Sequence, residues 1–272
     1  MSAALTMGPP PAEAAPQKYE VARGEVYAQV DGRDLLADVY SPSGKGPFPA
    51  VLCLHGGAWA AGHRSHMGGV ARRLAEGGFV AITIDYRLAP RYKYPAQYED
   101  CQKALEWIRS SAERLRIAPE RIAAWGYSAG GHLALLLGTH GSNLFAVVAG
   151  GAPADLREIP EDNAVLAFWL GGTRRDKPEV YLDASPATHV TPDDPPVFLY
   201  HGETDMLVPY QIAKNMKSLL EANKVPGVLH TVRAAGHVLT FINADATAEG
   251  VRFLQRQQRA LAAEARQTGD DR

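Results

Sequence analysis

The stretch Arg121-Ile122-Ala123-Ala124-Trp125-Gly126-Tyr127-Ser128-Ala129-Gly130-Gly131 decides how this chain is read. Arg121 to Trp125 is short and apolar, as a strand buried on both faces must be. It runs directly into Gly126-Tyr127-Ser128-Ala129-Gly130, which fits G-x-S-x-G, and Gly131 to Gly138 then reads as an apolar helix. The five-residue pattern alone is weak, because small residues recur by chance. A strand before it and a helix after it make it a strained turn that presents Ser128 at a helix N-terminus. A phosphate-cradling turn is the alternative, and no lysine of the P-loop type follows to support it.

Outward from this turn, strand and helix patterns alternate, which argues for a largely parallel sheet covered by helices. Val21 to Val30 and Leu35 to Tyr40 read as opening strands around a turn at Asp31-Gly32. Ala50 to Leu54, Phe79 to Ile84, Phe145 to Ala149, Val197 to Tyr200 and Val228 to Val232 read as further strands. Val70 to Glu76, Gln97 to Leu115, Pro209 to Ala222 and about Leu239 to Ala265 read as helices. Residues 1–20 are expected to be a disordered leader or an expression remnant, and residues 21–272 one domain. Ala154 to Pro196 is long, mixed and rich in Pro and Asp. A short lid-like insertion is expected around residues 155–196.

The composition excludes several classes. At 272 residues and 46% hydrophobic, the chain can bury a sizeable core. A formal net charge of −2 gives no electrostatic case for nucleic acid or an anionic membrane. Two cysteines, Cys53 and Cys101, make no disulfide framework, and no apolar run reaches membrane-spanning length. The Ala- and Pro-rich start lacks the apolar core of a signal peptide, so a cytoplasmic protein and a secreted one freed of its signal both remain open.

A serine hydroxyl needs a neighbouring base to be a useful nucleophile. Of nine histidines, His201 ends an apolar strand, His230 lies inside the last strand, and His237 follows that strand in a loop. Loops at strand C-terminal ends carry the chemistry of such sheets, so His237 is the candidate base. Asp205, in the loop after Val197 to Tyr200, is the candidate acid. Glu203 and Asp155 are weaker competitors. An oxyanion needs donors fixed in advance. His55-Gly56-Gly57-Ala58-Trp59 follows a buried strand, and its small residues let backbone amides approach a substrate. Gly57, Ala58 and Ala129 are the candidate donors. Trp59, Tyr127, Leu166, Phe168 and Trp169 are candidate substrate-binding residues, against the alternative of core packing.

Taken together, His55-Gly56-Gly57-Ala58-Trp59, Asp85-Tyr86-Arg87-Leu88-Ala89-Pro90, Gly126-Tyr127-Ser128-Ala129-Gly130-Gly131, Asp205 with Val208-Pro209, and Gly236-His237 resemble the α/β-hydrolase superfamily. The resemblance is to its feruloyl and acetyl-xylan esterase-like and hormone-sensitive-lipase-like carboxylesterases. It implies an eight-stranded, mostly parallel sheet with helices on both faces, a small-molecule ester substrate, and neither cofactor nor metal. It also implies that Asp85 and Arg87 brace the oxyanion loop. Ala58 stands where the hormone-sensitive-lipase-like pattern has a third glycine, and its methyl group is expected to narrow the site against bulky tertiary-alcohol esters. The short leader, with no length for cap helices, favours the feruloyl or acetyl esterase-like side. An amidase or arylformamidase would use the same three residues. A non-catalytic binding protein on the same fold would be expected to lack one of them.

Overall fold

Asp31 and Gly32 both take positive φ, 50° and 71°, and turn the chain between β1 (Tyr19–Val30) and the antiparallel β2 (Arg33–Pro42). The computed structural model describes residues 17–268. Residues 1–16 of the expected leader lie outside the described residues. Within that expected leader, β1 already begins at Tyr19, where Tyr19 pairs with Pro42.

After β2 the chain alternates. β3 (Phe48–Leu54), α1 (Gly68–Glu76), β4 (Val80–Ile84), α2 (Ala96–Ser110), α3 (Ala112–Leu115) and β5 (Ile117–Tyr127) follow in order. Then come α4 (Ala129–Thr139), β6 (Val147–Gly150), α5 (Ala164–Leu170), α6 (Pro178–Asp183), β7 (Val197–Gly202), α7 (Tyr210–Ala222), β8 (Gly227–Val232), α8 (His237–Phe241) and α9 (Ala244–Thr268). The eight strands form one sheet in the order β1-β2-β4-β3-β5-β6-β7-β8, parallel from β4 to β8.

Side-chain alternation sorts the parallel strands onto two cores. Ala50, Leu52 and Leu54 of β3 and Ile122 and Ala124 of β5 join Leu133, Leu136 and Leu137 of α4 on one face. Val51 and Cys53 of β3 and Ala123 and Trp125 of β5 join Met67, Val70 and Leu74 beside α1 on the other. Strands buried on both faces carry continuous apolar runs for this reason. β3 lies between β4 and β5, and the helices that follow β3 and β5 leave on opposite faces. The C-terminal ends of β3 and β5 therefore flank the crevice where such sheets bind ligands.

Three boundaries differ by more than two residues from the sequence reading. The helix expected from Gln97 to Leu115 is broken at Ser111, and α3 is capped by Arg116, whose φ is 55°. β5 begins at Ile117 rather than Arg121; Ile117 pairs with Phe48 before a register shift restores pairing at Ile122. The closing helix is two helices, because the Asn243 side chain accepts the Ala246 N–H at 2.8 Å and caps α9. Among the described residues no helix is long and apolar enough to cross a membrane.

Candidate active site

Ser128 sits at φ 55° and ψ −122°, between the last residue of β5 and the first of α4. A non-glycine residue held there costs roughly 1–3 kcal/mol and needs surroundings that enforce it. The enforcement is visible. Ser128 N–H donates to the Gly150 carbonyl at 2.7 Å, and the Ser128 carbonyl accepts from His132 N–H at 2.9 Å. A Cβ on Gly126 would lie 2.0 Å from the Gly130 carbonyl oxygen, and one on Gly130 would lie 2.0 Å from the Leu54 oxygen. Both flanking positions are thus closed to any side chain.

The His55-to-Trp59 loop leaves β3 against this turn. A Cβ on Gly56 would come within 3.2 Å of Ser128 Cβ. Gly57, Ala58 and Trp59 take φ of 123°, 51° and 56° in succession. Ala58 thus adopts a left-handed conformation despite its methyl group. Gly57 cannot be replaced without a clash, since its Cβ would lie 2.1 Å from the Ala61 oxygen. Among the described residues, the N–H groups of Gly57, Ala58 and Ala129 donate to no protein group. Gly57 and Ala58 are exposed. Donors left free on a strained loop beside a strained serine are what an oxyanion site requires.

The bracing of this loop differs in part from expectation. Asp85 accepts the Arg64 backbone N–H at 2.7 Å and the Arg64 guanidinium, and Arg64 also reaches Asp38 at 2.8 Å. Tyr86 donates to the His55 carbonyl at 2.8 Å and stacks on its ring, with centroids 4.2 Å apart. Arg87 turns away: it binds Asp100 and Glu99 and holds the start of α2 instead. Its charge is satisfied there, so Tyr86 braces the His55 end of the loop and Asp85 holds Arg64 farther along the chain.

His237 opens α8, and its Nδ1 lies 2.6 Å from Asp205 Oδ2. The other carboxylate oxygen of Asp205 accepts the N–H groups of Leu207 at 2.9 Å and Val208 at 3.0 Å. Burial works to raise the Asp205 pKa. The donors at His201, His237 and Val208 overcome it and hold the carboxyl well below the usual carboxylate range. The competitors are engaged elsewhere. Glu203 is exposed and accepts only weakly from Ala234 N–H at 3.4 Å, while Asp155 pairs with Arg157 at 2.6 Å.

Gly151 lies between His237 and the turn that carries Ser128. It takes φ 52°, and a Cβ there would lie 2.9 Å from the Tyr127 hydroxyl and 3.1 Å from His237 Cε1. Tyr127 itself is buried and donates its phenol to the His237 carbonyl, so it is held inward rather than toward a ligand. Trp59, Leu166 and Trp169 are buried too, at 3%, 2% and 0% exposure, and belong to the core. The packing alternative describes all three. Phe168 remains exposed, with Lys93 over its ring at 4.8 Å.

Sequence reasoning missed His201, whose Nε2 lies 2.8 Å from the Val208 carbonyl and 3.4 Å from Asp205 Oδ2. A carbonyl only accepts, so Nε2 carries the proton and faces both oxygens. Its place four residues before Asp205 was the available signal. It also missed Gly151, which the Gly150-Gly151 pair after a strand could have marked.

A family model described as BD-FAE matches residues 37–220, more than half of the chain. The chain belongs to the BD-FAE family. This member has the α/β-hydrolase sheet and helices described above. It is 34% identical over 197 residues to esterase LipC of Mycobacterium tuberculosis, a match covering 65% of this chain and 49% of that protein. The chain spans about half the length of the curated relatives it matches. A truncated carbohydrate esterase from gut microbiota superposes with a TM-score of 0.82 at 23% identity, covering 90% of this chain and 98% of that one. Propionate-bound esterase 2 of Thermogutta terrifontis superposes at 0.71 with 25% identity, covering 92% and 94%.

Proposed function

We propose that this BD-FAE chain is a serine carboxylic-ester hydrolase, with Ser128 as nucleophile, His237 as base and Asp205 as the acid that orients it. The observation that carries this reading is the Asp205–His237 contact of 2.6 Å, joined through Gly151 and Tyr127 to the turn that holds Ser128 at φ 55°. His237 takes the Ser128 proton as Oγ attacks the ester carbonyl. The oxyanion forms against the N–H groups of Gly57, Ala58 and Ala129. The imidazolium, favoured by the Asp205 carboxylate, protonates the departing alcohol. Water then attacks the acyl-enzyme by the same route and releases the acid.

The substrate class is a short-chain acyl ester, aryl or carbohydrate on its alcohol side. Two likenesses support it: the carbohydrate esterase, and the esterase whose structure holds propionate. Residues 155–196, with exposed Phe168, would form a wall of the acyl or alcohol site. Hydrolysis of p-nitrophenyl acetate by the wild type and by Ser128→Ala, with fluorophosphonate labelling of both, tests the assignment. Turnover and labelling in the wild type alone support it. Equal turnover in both proteins removes Ser128 from the mechanism. Labelling without ester turnover would redirect the same residues to an amide.

A further inference from the structure

Three buried rings meet behind the oxyanion-type turn. The indoles of Trp59 and Trp169 stack with centroids 3.8 Å apart and planes 3° from parallel. His132 meets both edge-on, at 5.0 and 5.3 Å. Each ring comes from a different part of the site. Trp59 is the third successive positive-φ residue of the turn. His132 is one helical turn beyond Ser128, whose carbonyl its N–H holds. Trp169 belongs to α5, in the insertion.

Two of the rings are also hydrogen-bonded, and the third residue is held through its backbone. Trp169 Nε1 donates to Gln97 Oε1 at 2.9 Å, which ties it to α2. His132 Nε2 donates to the Ala184 carbonyl at 2.7 Å, just beyond α6. The Trp59 carbonyl accepts Ala89 N–H at 2.9 Å. One donor, Trp59 Nε1, and one acceptor, His132 Nδ1, are buried without a protein partner. A buried polar atom without a partner is costly to keep.

Ala58 and Trp59 have no glycine freedom, yet both sit at positive φ. Something must press the turn into that shape. The face of the Trp59 indole rests on Trp169 and its neighbouring edge on His132, so the side chain fixes the backbone that carries the Ala58 N–H.

We propose that Trp169 is a positioning residue for the oxyanion turn, acting through Trp59 with His132 as the third member of the cluster. The insertion then sets turnover by where it seats Trp169, in addition to any wall it forms. The inference rests on the esterase reading above. Misplacing catalytic amides by about 1 Å can cost on the order of a hundredfold in rate.

The test compares Trp169→Leu and Trp169→Phe with the wild type, on p-nitrophenyl acetate. Active sites are counted by fluorophosphonate labelling taken to completion. Trp169→Leu should lose about ten- to a hundredfold in kcat per labelled serine, with KM within about threefold, and its labelling rate should fall in step. Trp169→Phe, which keeps an aromatic face, should recover most of both. Unchanged kcat per labelled serine in Trp169→Leu overturns the proposal, because a packing role alone lowers the folded fraction and not the rate of each site. If Trp169→Leu does not fold, Trp59→Phe, Trp169→Phe and the double variant replace it. Non-additive losses in kcat per site support the coupling, and additive ones overturn it. A wild type that neither turns over nor labels would instead defeat the esterase reading.

Discussion

Asp205 holds two histidines with one oxygen: Oδ2 lies 2.6 Å from His237 Nδ1 and 3.4 Å from His201 Nε2. The carboxylate is therefore met by both imidazoles through one oxygen, and its second oxygen accepts from two backbone amides. A buried charge is tolerable when its lone pairs are filled in this way.

Asp205→Asn should keep the loop and lose the rate. An amide can accept from His237 Nδ1–H but cannot stabilise an imidazolium. A fall of about 10³–10⁴ in kcat is expected, on the precedent of other serine hydrolases. Steady-state kinetics check it; a loss under tenfold would mean that Asp205 is not the acid.

His201→Leu should act on the same carboxylate more mildly. Removing one charge-directed donor is worth about 1.5–3 kcal/mol. The acid midpoint of unfolding, followed by circular dichroism, should move up in pH. Asp205 has a folded pKa below its unfolded value, so its contribution is present above the unfolded pKa and is lost as pH falls toward the folded one. Weakening its partners raises the folded pKa and brings that loss to higher pH. An unmoved acid midpoint would argue against the His201 contact.

Burial lowers both His55 and His132 to about 4, despite their bonds to the carbonyls of Gly56 and Ala184. The unfolded chain, with histidines near 6.5, binds protons that the folded one refuses. Stability should be full above about pH 6.5 and decline as pH falls toward 4, by on the order of 2–3 kcal/mol for each group. Urea midpoints measured between pH 7.5 and 4.5 report the slope. A flat profile would show that neither ring is neutral and buried in solution.

Gly57→Ala should disable the turn. Its added carbon would meet the Ala61 oxygen at 2.1 Å, and φ there is 123°. The loop must move, taking its free N–H groups with it. Losing one such donor costs about 10²–10³ in rate. Retained kcat in a folded Gly57→Ala protein would place the oxyanion elsewhere.

Tyr127→Phe removes the phenol that donates to the His237 carbonyl. A hydrogen bond of this kind contributes about 0.5–1.5 kcal/mol, so a drop of a few degrees in Tm is expected. Because that carbonyl belongs to His237, the proposed base, kcat should fall too. A variant as stable and as active as the wild type would show that the contact is not formed in solution.

Much of this protein was determined by its sequence alone, because the signals were local. The apolar run into Gly126-Tyr127-Ser128 marks a strand entering a strained turn, whichever strands lie beside it. The order of Ser128, Asp205 and His237, each at a strand's end, follows from alternating patterns that need no partner. What the tertiary structure decided was pairing. Trp59 and Trp169 read equally well as pocket wall or core, and only the packing of α5 onto the turn put them face to face. Tyr127 read as a ligand contact, yet its hydroxyl finds a carbonyl 110 residues away. Arg87 read as a brace of the oxyanion loop and instead holds α2. Periodicity reports which residues are buried. It does not say against what, because a buried group's partner depends on which strands are neighbours, and here the chain passes from β3 to β4 and back across β3 to β5 before those neighbours are set.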